Sequence, residues 1–565
     1  MKIHIDEIPL AQPDNTFVSL DVELFGAEGH RLHRPTGRFA CLTLCPDGEN
    51  VYLLTDENLV DIALGRVDNC VWVFHNAQFD LQHLRRWSDI QPRKKLWCTM
   101  TIEQLLWSGY YDRFYLKDLV RRYLGQYLEK EARESFSDAQ ELTPELIHYA
   151  ATDAVVTWKV LQEQRKEVQK RPDVWKLWKK IDGPSTWAYL DFMGFRIDVE
   201  AWKQLAEYNR KRYDETKASF PFNPNSSPKQ VQPWFREHGV KGVRSADKNA
   251  LRKYMFNAPN QEVYDMAKRL LEYSAMKSPA TTYGMSFIDK HLEEENDYYV
   301  IKAGYRVVGA STGRNSCSNP NMQNIPIREN PEFRKPWIAR PGNKLIAVDQ
   351  SAQEAREHAF FTQDKTLMKI FKDELDVYTE AYNLMYQASI VKSDPLRSDI
   401  GKPSFLAATY GQTPFGISEK YGMSVEDAED MQDRFWNAFP GSRIWCDQQK
   451  SKMDYVESAW GRRFWCNVYN NKRERNNLNH PHQATAADMM KLSIVKIHQN
   501  WNFDCPYGVV AVIHDELILD VPEELAPDVA TFVSNTMVEV AEEMCPGIPF
   551  VANAKIVDNW LQGKD

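Results

Sequence analysis

The chain has 565 residues, 43% hydrophobic and 26% charged, which is long enough for several domains with substantial cores and typical of a soluble globular protein. No apolar run approaches the length of a membrane span, and the start M-K-I-H-I-D-E-I-P-L is broken by charges and lacks the apolar core of a signal peptide, so neither membrane insertion nor export is expected. Nine cysteines without a C-x-x-C pair exclude a zinc ribbon and a disulfide framework and fit a reducing cytoplasm. A net charge of -9 argues, by itself, against a nucleic-acid partner. A local basic groove is compatible with that total, because metal-binding carboxylates add negative charge. Arg93-Lys94-Lys95, Arg210-Lys211-Arg212 and Lys472-Arg473-Glu474-Arg475 suit such a groove, and each equally suits a solvated face.

In chain order, Phe17 to Val22 has an apolar strand pattern that runs into Asp21-Val22-Glu23. Asp21 and Glu23 lie two apart, so a strand points both to one face, as a metal site requires. Strand patterns follow at Ala40 to Cys45, Val51 to Leu54 and Val71 to Phe74, the last leading through His75-Asn76-Ala77-Gln78-Phe79-Asp80 into an amphipathic helix ending near Leu84. Strands first and helices later predict an α/β layer fold. Thr143 and Glu145 open a helix that carries Tyr149 and Asp153 four apart, on one face. Taken singly, Asp21 and Glu23 also suit edge-strand gatekeepers, Asp80 an N-cap, and Tyr149 with Asp153 a surface hydrogen bond. As a set, Asp21, Glu23, Asp80, Asp153 and Tyr149 resemble the D-x-E, N-x-x-x-D and Y-x-x-x-D pattern of DEDD-type 3′ to 5′ exonucleases. The charged stretch Glu167 to Asp173, with Arg171-Pro172, reads as a domain boundary.

Beyond it, Ser227 and Pro228 in N-P-N-S-S-P-K-Q-V read as a helix cap and first turn. Leu345 to Arg356, L-I-A-V-D-Q-S-A-Q-E-A-R, reads as a buried strand ending at Asp349 and passing into a helix. Lys402, Leu406 and Tyr410 fall at i, i+4 and i+8, one stripe of a helix, with Pro403 predicted in its first turn. Asn479 suits an N-cap before Pro481. Tyr507 to Pro522 reads as two apolar strands joined by a tight turn presenting His514, Asp515 and Glu516. Strand-end carboxylates Asp349 and Asp515 brought side by side would make an oxygen-rich site for Mg²⁺, and paired metal ions about 4 Å apart suit in-line phosphoryl transfer.

The chain resembles family A DNA polymerases, the DNA polymerase I family. D-x-S-x-x-E-x-R from Asp349, K-P-S-F-L-A-A-T-Y-G from Lys402 and H-D-E from His514 are similar to its motifs A, B and C, in that order. Trp187 to Asp198 resembles the first helix of the family's polymerase domain, and Asn223 to Val231 its thumb signature. Thr312-Gly313-Arg314 and Gln323-Asn324-Ile325-Pro326 resemble segments at its thumb-palm junction. The resemblance implies that Asp349 and Asp515 hold the polymerase metal ions, with Glu516 a further catalytic residue, and that Lys402 and Arg397 bind the incoming triphosphate. It further implies that Tyr410 and Gly411 close over the nascent base pair and that Glu354 excludes a ribose 2′ hydroxyl. Arg314, Gln323, Asn324, Asn479, Gln483, Lys229, Gln230 and His514 become contacts to DNA. Four departures stand out: Arg397 lies five residues before Lys402 where the family has four, Leu406 replaces Phe or Tyr, and Gln350 and Gln353 replace Tyr and an apolar residue.

The expected architecture is α/β: an RNase H-like exonuclease domain over 1–172, then a right-hand polymerase domain over 173–565. Within the latter the thumb is expected near 200–300, the palm near 301–360 and 476–565, and the fingers near 361–475. No 5′ nuclease domain is expected ahead of the exonuclease, a compactness like that of phage replicative enzymes. The expected function is template-directed DNA synthesis with proofreading, with two Mg²⁺ ions at each site, primer-template DNA and deoxynucleoside triphosphates as partners, and the cytoplasm of a bacterial or phage-infected cell as the location. No processivity partner is legible. The rival readings are a ribonuclease D-type exonuclease with a nucleic-acid-binding C-terminal half, and an idle scaffold.

Overall fold

The computed structural model describes residues 1–26, 37–92, 95–128, 136, 138–327, 330–467 and 469–564; Arg93 and Lys94 of the first basic cluster lie outside them. Six strands, β1 (Lys2–Ile5), β2 (Phe17–Phe25), β3 (Arg38–Cys45), β4 (Asn50–Leu54), β5 (Val71–Phe74) and β6 (Leu96–Cys98), form one sheet in the order β1-β4-β3-β2-β5-β6. β2, β3 and β4 are antiparallel, while β1 joins β4, and β5 joins β2, in parallel. Apolar residues such as Val18, Leu20, Val22 and Leu24 are all but fully buried, because helices cover the sheet; α1 (Ala77–Leu84) and the long α2 (Pro144–Gln169) both pack on β2. Thr143 caps α2 by accepting from Leu146 N, as its position predicts.

The expected boundary at Glu167–Asp173 is a tight turn between helices, with Arg171 paired to Asp173 at 2.5 Å, and no extended linker is found there. The chain continues through a π-turn at Trp178–Asp182 into Gly183–Leu190. That helix stops at Leu190, short of the expected Asp198, which instead caps α3 (Val199–Ala218). α3 and α4 (Gln261–Thr281) enclose a separate small core of Tyr213, Phe235, Leu251, Val263, Leu270 and Tyr273. Arg210 and Lys211 on α3 pair with Asp214 and Glu215, one turn on, so that basic cluster is largely a solvated helix face.

The second sheet is antiparallel in the order β8-β9-β7-β10, built from β7 (Asn343–Gln350), β8 (Val509–Ile513), β9 (Glu516–Pro522) and β10 (Ala552–Val557). Between β7 and β8 the chain is largely helical, including α5 (Gln353–Thr362), α6 (Val377–Tyr386), α7 (Lys402–Thr409) and α8 (Arg473–Gln499); α9 (Ala526–Met544) packs on β7 and β10. Two devices tie the halves together. The Gln78 amide donates to Tyr305 O and accepts from Val307 N, both at 3.0 Å, as an added strand would. Arg462 lies between Asp182 at 2.8 Å and Asp488 at 2.6 Å, with Lys491 bonded to Asp182, a buried quartet balanced in charge.

Candidate active sites

The first carboxylate group forms on β2. Asp21 and Glu23 share a face, and a bulge directly after Glu23 breaks the register with β3. Asp153 reaches them from α2, so that ligand oxygens of Asp21, Glu23 and Asp153 lie within 4.8 Å of one another. Asp80, buried on α1, is outside that group of oxygens; its Oδ1 accepts from Val22 N at 3.1 Å, anchoring the backbone between the two strand carboxylates. It lies inside α1 and is not its N-cap. Tyr149 sits one turn before Asp153, half-buried beside Phe136. Burial, and then the charges of Glu23 and Asp21, raise the Cys41 thiol well above its usual range, which registers the negative potential of this pocket.

The second group forms where β7 ends. Asp349 is directly across from Glu516 in the β7–β9 ladder, and His514-Asp515 make the two-residue turn between β8 and β9. His514 carries the turn's positive φ of 57° and is exposed, and Asp515 is half-buried. The Glu516 side chain is engaged by two other segments: its Oε1 accepts from Trp560 Nε1 at 3.3 Å, and Arg334 lies 3.5 Å from Oε2 while stacking 3.9 Å from the Trp560 ring. Arg334 and Trp560 belong to this site through tertiary contact alone, and no local pattern announces them.

On α5, Glu354 faces the same space, 4.0 Å from Arg314. The T-G-R turn depends on its glycine, since Gly313 has φ +80° and a Cβ there would meet Arg462 Cδ at 2.7 Å. Lys402, Leu406 and Tyr410 are the less buried stripe of α7, although the helix ends at Thr409 and Tyr410 is its C-cap. Burial, and then the charge of Glu354, push the Tyr410 phenol well above its usual range. Pro403 is in the first turn of α7, and directly before it Arg397–Gly401 forms a π-turn. Lys402 N donates to Arg397 O, so the extra residue is absorbed and Arg397 lies one turn below Lys402.

Asn479 and Gln483 lie on the half-exposed face of α8. That helix begins at Arg473, so Asn479 is interior and not an N-cap, and Pro481 is carried inside it. Gln323 and Asn324 form a short 3₁₀ turn; Gln323 is half-exposed and Asn324 exposed. Lys229 is exposed, whereas the Gln230 side chain closes its own loop by accepting from Asn223 N at 2.6 Å. The cap position there is Ser226 rather than Ser227.

The family model for DNA polymerase family A matches residues 196–562, about two-thirds of the sequence. The chain belongs to DNA polymerase family A. A separate match to the 3′-5′ exonuclease family covers 18–169. Among relatives in this family, DNA polymerase I of Chloroflexus aurantiacus is 26% identical over 524 residues, 86% of this chain and 54% of that protein. DNA polymerase I of Aquifex aeolicus is 26% identical over 576 residues, 93% of this chain and 94% of that one. The chain thus spans about half the length of the Chloroflexus relative. The POL domain of Pol1 from M. smegmatis, solved in complex with DNA primer-template and dNTP, has the same fold, with a TM-score of 0.81 at 19% identity over 97% of this chain and 96% of that one. The oxygen-only donors Asp21, Glu23 and Asp153 suit a hard divalent cation, the kind of ion that polymerase and exonuclease domains of these families generally use. No helix among the described residues is long and apolar enough to cross a membrane.

Proposed function

We propose that the chain is a DNA-dependent DNA polymerase that extends a primer from deoxynucleoside triphosphates and removes mispaired 3′ ends at a second site. The observation that carries this reading is the presence in one chain of two separate carboxylate groups, Asp349 at the end of β7 across from the residue that follows the Asp515 turn, and Asp21 with Glu23 on β2, one within each family match. We assign 1–172 to the exonuclease and 173–565 to the polymerase, with thumb, palm and fingers divided as the motifs suggest.

Asp349 and Asp515 would hold two Mg²⁺ ions at one site, and Asp21, Glu23, Asp80 and Asp153, with Tyr149, two at the other. Such ions, when bound, lower the pKa of the attacking hydroxyl or water and neutralise the leaving phosphate. Lys402 meets the triphosphate with a fixed positive charge where negative charge accumulates. Tyr410 covers the nascent pair, and Glu354 fills the space beside the sugar 2′ carbon. Arg314, Gln323, Asn324, Asn479 and Gln483 test pair geometry in the minor groove, where amide and guanidinium donors meet acceptors common to all four pairings. Lys229 and His514 contact the DNA backbone. All nine cysteines are free thiols, which fits the cytoplasm of a bacterial or phage-infected cell.

Primer extension on a labelled template with Mg²⁺, with and without deoxynucleotides, tests this. Extension with nucleotides and shortening without them is expected. Shortening alone would leave only the exonuclease, and neither activity would leave a scaffold.

A further inference from the structure

Arg397 is expected to grip the triphosphate, yet its guanidinium is already engaged. Arg397 Nε donates to Asp376 Oδ1 at 2.8 Å and Nη2 to Oδ2 at 2.7 Å, a fork-to-fork pair. Asp376 is at the same time the N-cap of α6, its Oδ1 accepting from Thr379 N at 2.9 Å and from Thr379 Oγ1 at 2.8 Å. Burial by itself would raise this carboxyl, but the Arg397 and Thr379 hydrogen bonds hold it at about 2, so the pair is ionised throughout the working range.

The surroundings of the pair are built to match. The Tyr378 ring, 6% exposed, has Arg397 Cζ and Lys402 Nζ each 5.4 Å from its centroid, so one aromatic residue receives both cations. The π-turn meets α6 at Gly401, where a Cβ would stand 2.3 Å from Tyr378 O. The residue that departs from family spacing therefore enters a turn made to fit against α6, and its side chain completes the cap of that helix.

We propose that Arg397 is a positioning residue: by holding Asp376 with both nitrogens it fixes the π-turn against α6 and so sets where Lys402 meets the incoming triphosphate. Arg397 and Asp376 then act as one unit, and neither contributes without the other. In a direct-contact role, by contrast, Asp376 competes with the substrate for Arg397, and removing its charge aids nucleotide use. The inference rests on the polymerase reading.

The test is a double-mutant cycle in the full-length protein, reading kcat and KM for deoxynucleotide in primer extension, exonuclease shortening of a single strand, and the melting temperature. Asp376→Asn retains a capping side chain but loses the charge, Arg397→Ala removes the fork, and Arg397→Lys keeps charge without it. The expected result is that each single variant raises KM by a similar factor, on the order of tenfold, that the double variant is no worse than either, and that shortening is unchanged. A raised KM in Arg397→Ala with an unchanged or lowered KM in Asp376→Asn would overturn the proposal in favour of direct contact. So would additive effects, full activity in Arg397→Lys, or a lowered melting temperature with normal kcat and KM. If the parent protein extends no primer at all, the polymerase reading itself fails, and the role of Arg397 falls with it.

Discussion

Asp349 stands on the second sheet, with Asp515 in its β8–β9 turn, and Asp21 and Glu23 stand on the first, so charge can be removed from one group without touching the other. Asp349→Asn or Asp515→Asn is expected to lower extension by at least on the order of 100- to 1,000-fold while single-strand shortening persists, because each takes a charged ligand from one site only. Asp21→Ala with Glu23→Ala is expected to do the reverse, and gel assays of both activities on each purified variant decide it. Loss of both activities in a folded single variant would refute two independent sites. On the polymerase reading, Leu406, on the same stripe as Lys402 and Tyr410, would bring no hydrogen-bonding group to the sugar side of the nucleotide. A dideoxynucleotide would leave a polar contact unmade there, at about 1–3 kcal/mol, or roughly tenfold to a hundredfold in selectivity. The parent is therefore expected to discriminate against chain terminators and Leu406→Tyr to accept them. Competition of a deoxynucleotide with its dideoxy analogue in single-turnover extension measures the ratio, and equal ratios would mean that Leu406 is away from the nucleotide.

The π-turn that leads into the helix carrying these residues abuts α6 at Gly401. A methyl group there must displace the Tyr378 carbonyl, which is backbone and cannot swing aside as a side chain can. Gly401→Ala is expected to destabilise the protein by about 1–3 kcal/mol and to impair extension more than exonuclease shortening, since the strain falls on the π-turn beneath Lys402. Urea unfolding alongside both activity assays checks this; a neutral substitution would show that α6 and α7 are more loosely joined than the contact implies. Glu516 shows a related dependence between elements. Although next to Asp515 in sequence, it belongs to β9 and is held by Arg334 and Trp560 from two distant segments.

Across the molecule, two buried histidines and the Asp376 carboxylate each contribute stability that is lost in acid. His480 and His482, enclosed on α8, have pKa values lowered to about 3 by burial. Below about 6.5 the unfolded chain takes up protons at these residues that the folded chain refuses, so their contribution is intact above that pH and is lost progressively as pH falls toward 3. Each buried histidine costs up to about 1.4 kcal/mol per pH unit in that window. Asp376 adds to the loss below the usual aspartate value, down to about 2. Thermal melts from pH 8 to pH 5 are expected to show a falling midpoint, and a folded His482→Gln variant a shallower fall. A flat profile would mean that these imidazoles reach water in the native state.

Much was legible in the local pattern because it depends only on neighbours along the chain. Apolar runs of strand length marked β2, β3, β4 and β5, and capping chemistry opened α2 at Thr143. The i, i+4 spacing put Lys402 and Leu406 on one stripe, and D-x-E put Asp21 and Glu23 on one strand face. The same local rules misplaced Asn479 as a cap, since tertiary burial carries α8 straight through Pro481. They also gave no sign that a π-turn would absorb the five-residue spacing of Arg397, or that Asp376 would take its guanidinium. Covalent spacing and backbone preference determine which side chains can share a face. Which carboxylate meets which cation was decided by tertiary packing, because Arg334, Trp560, Asp376 and Asp182 find their partners across segments that only the folded core brings within reach.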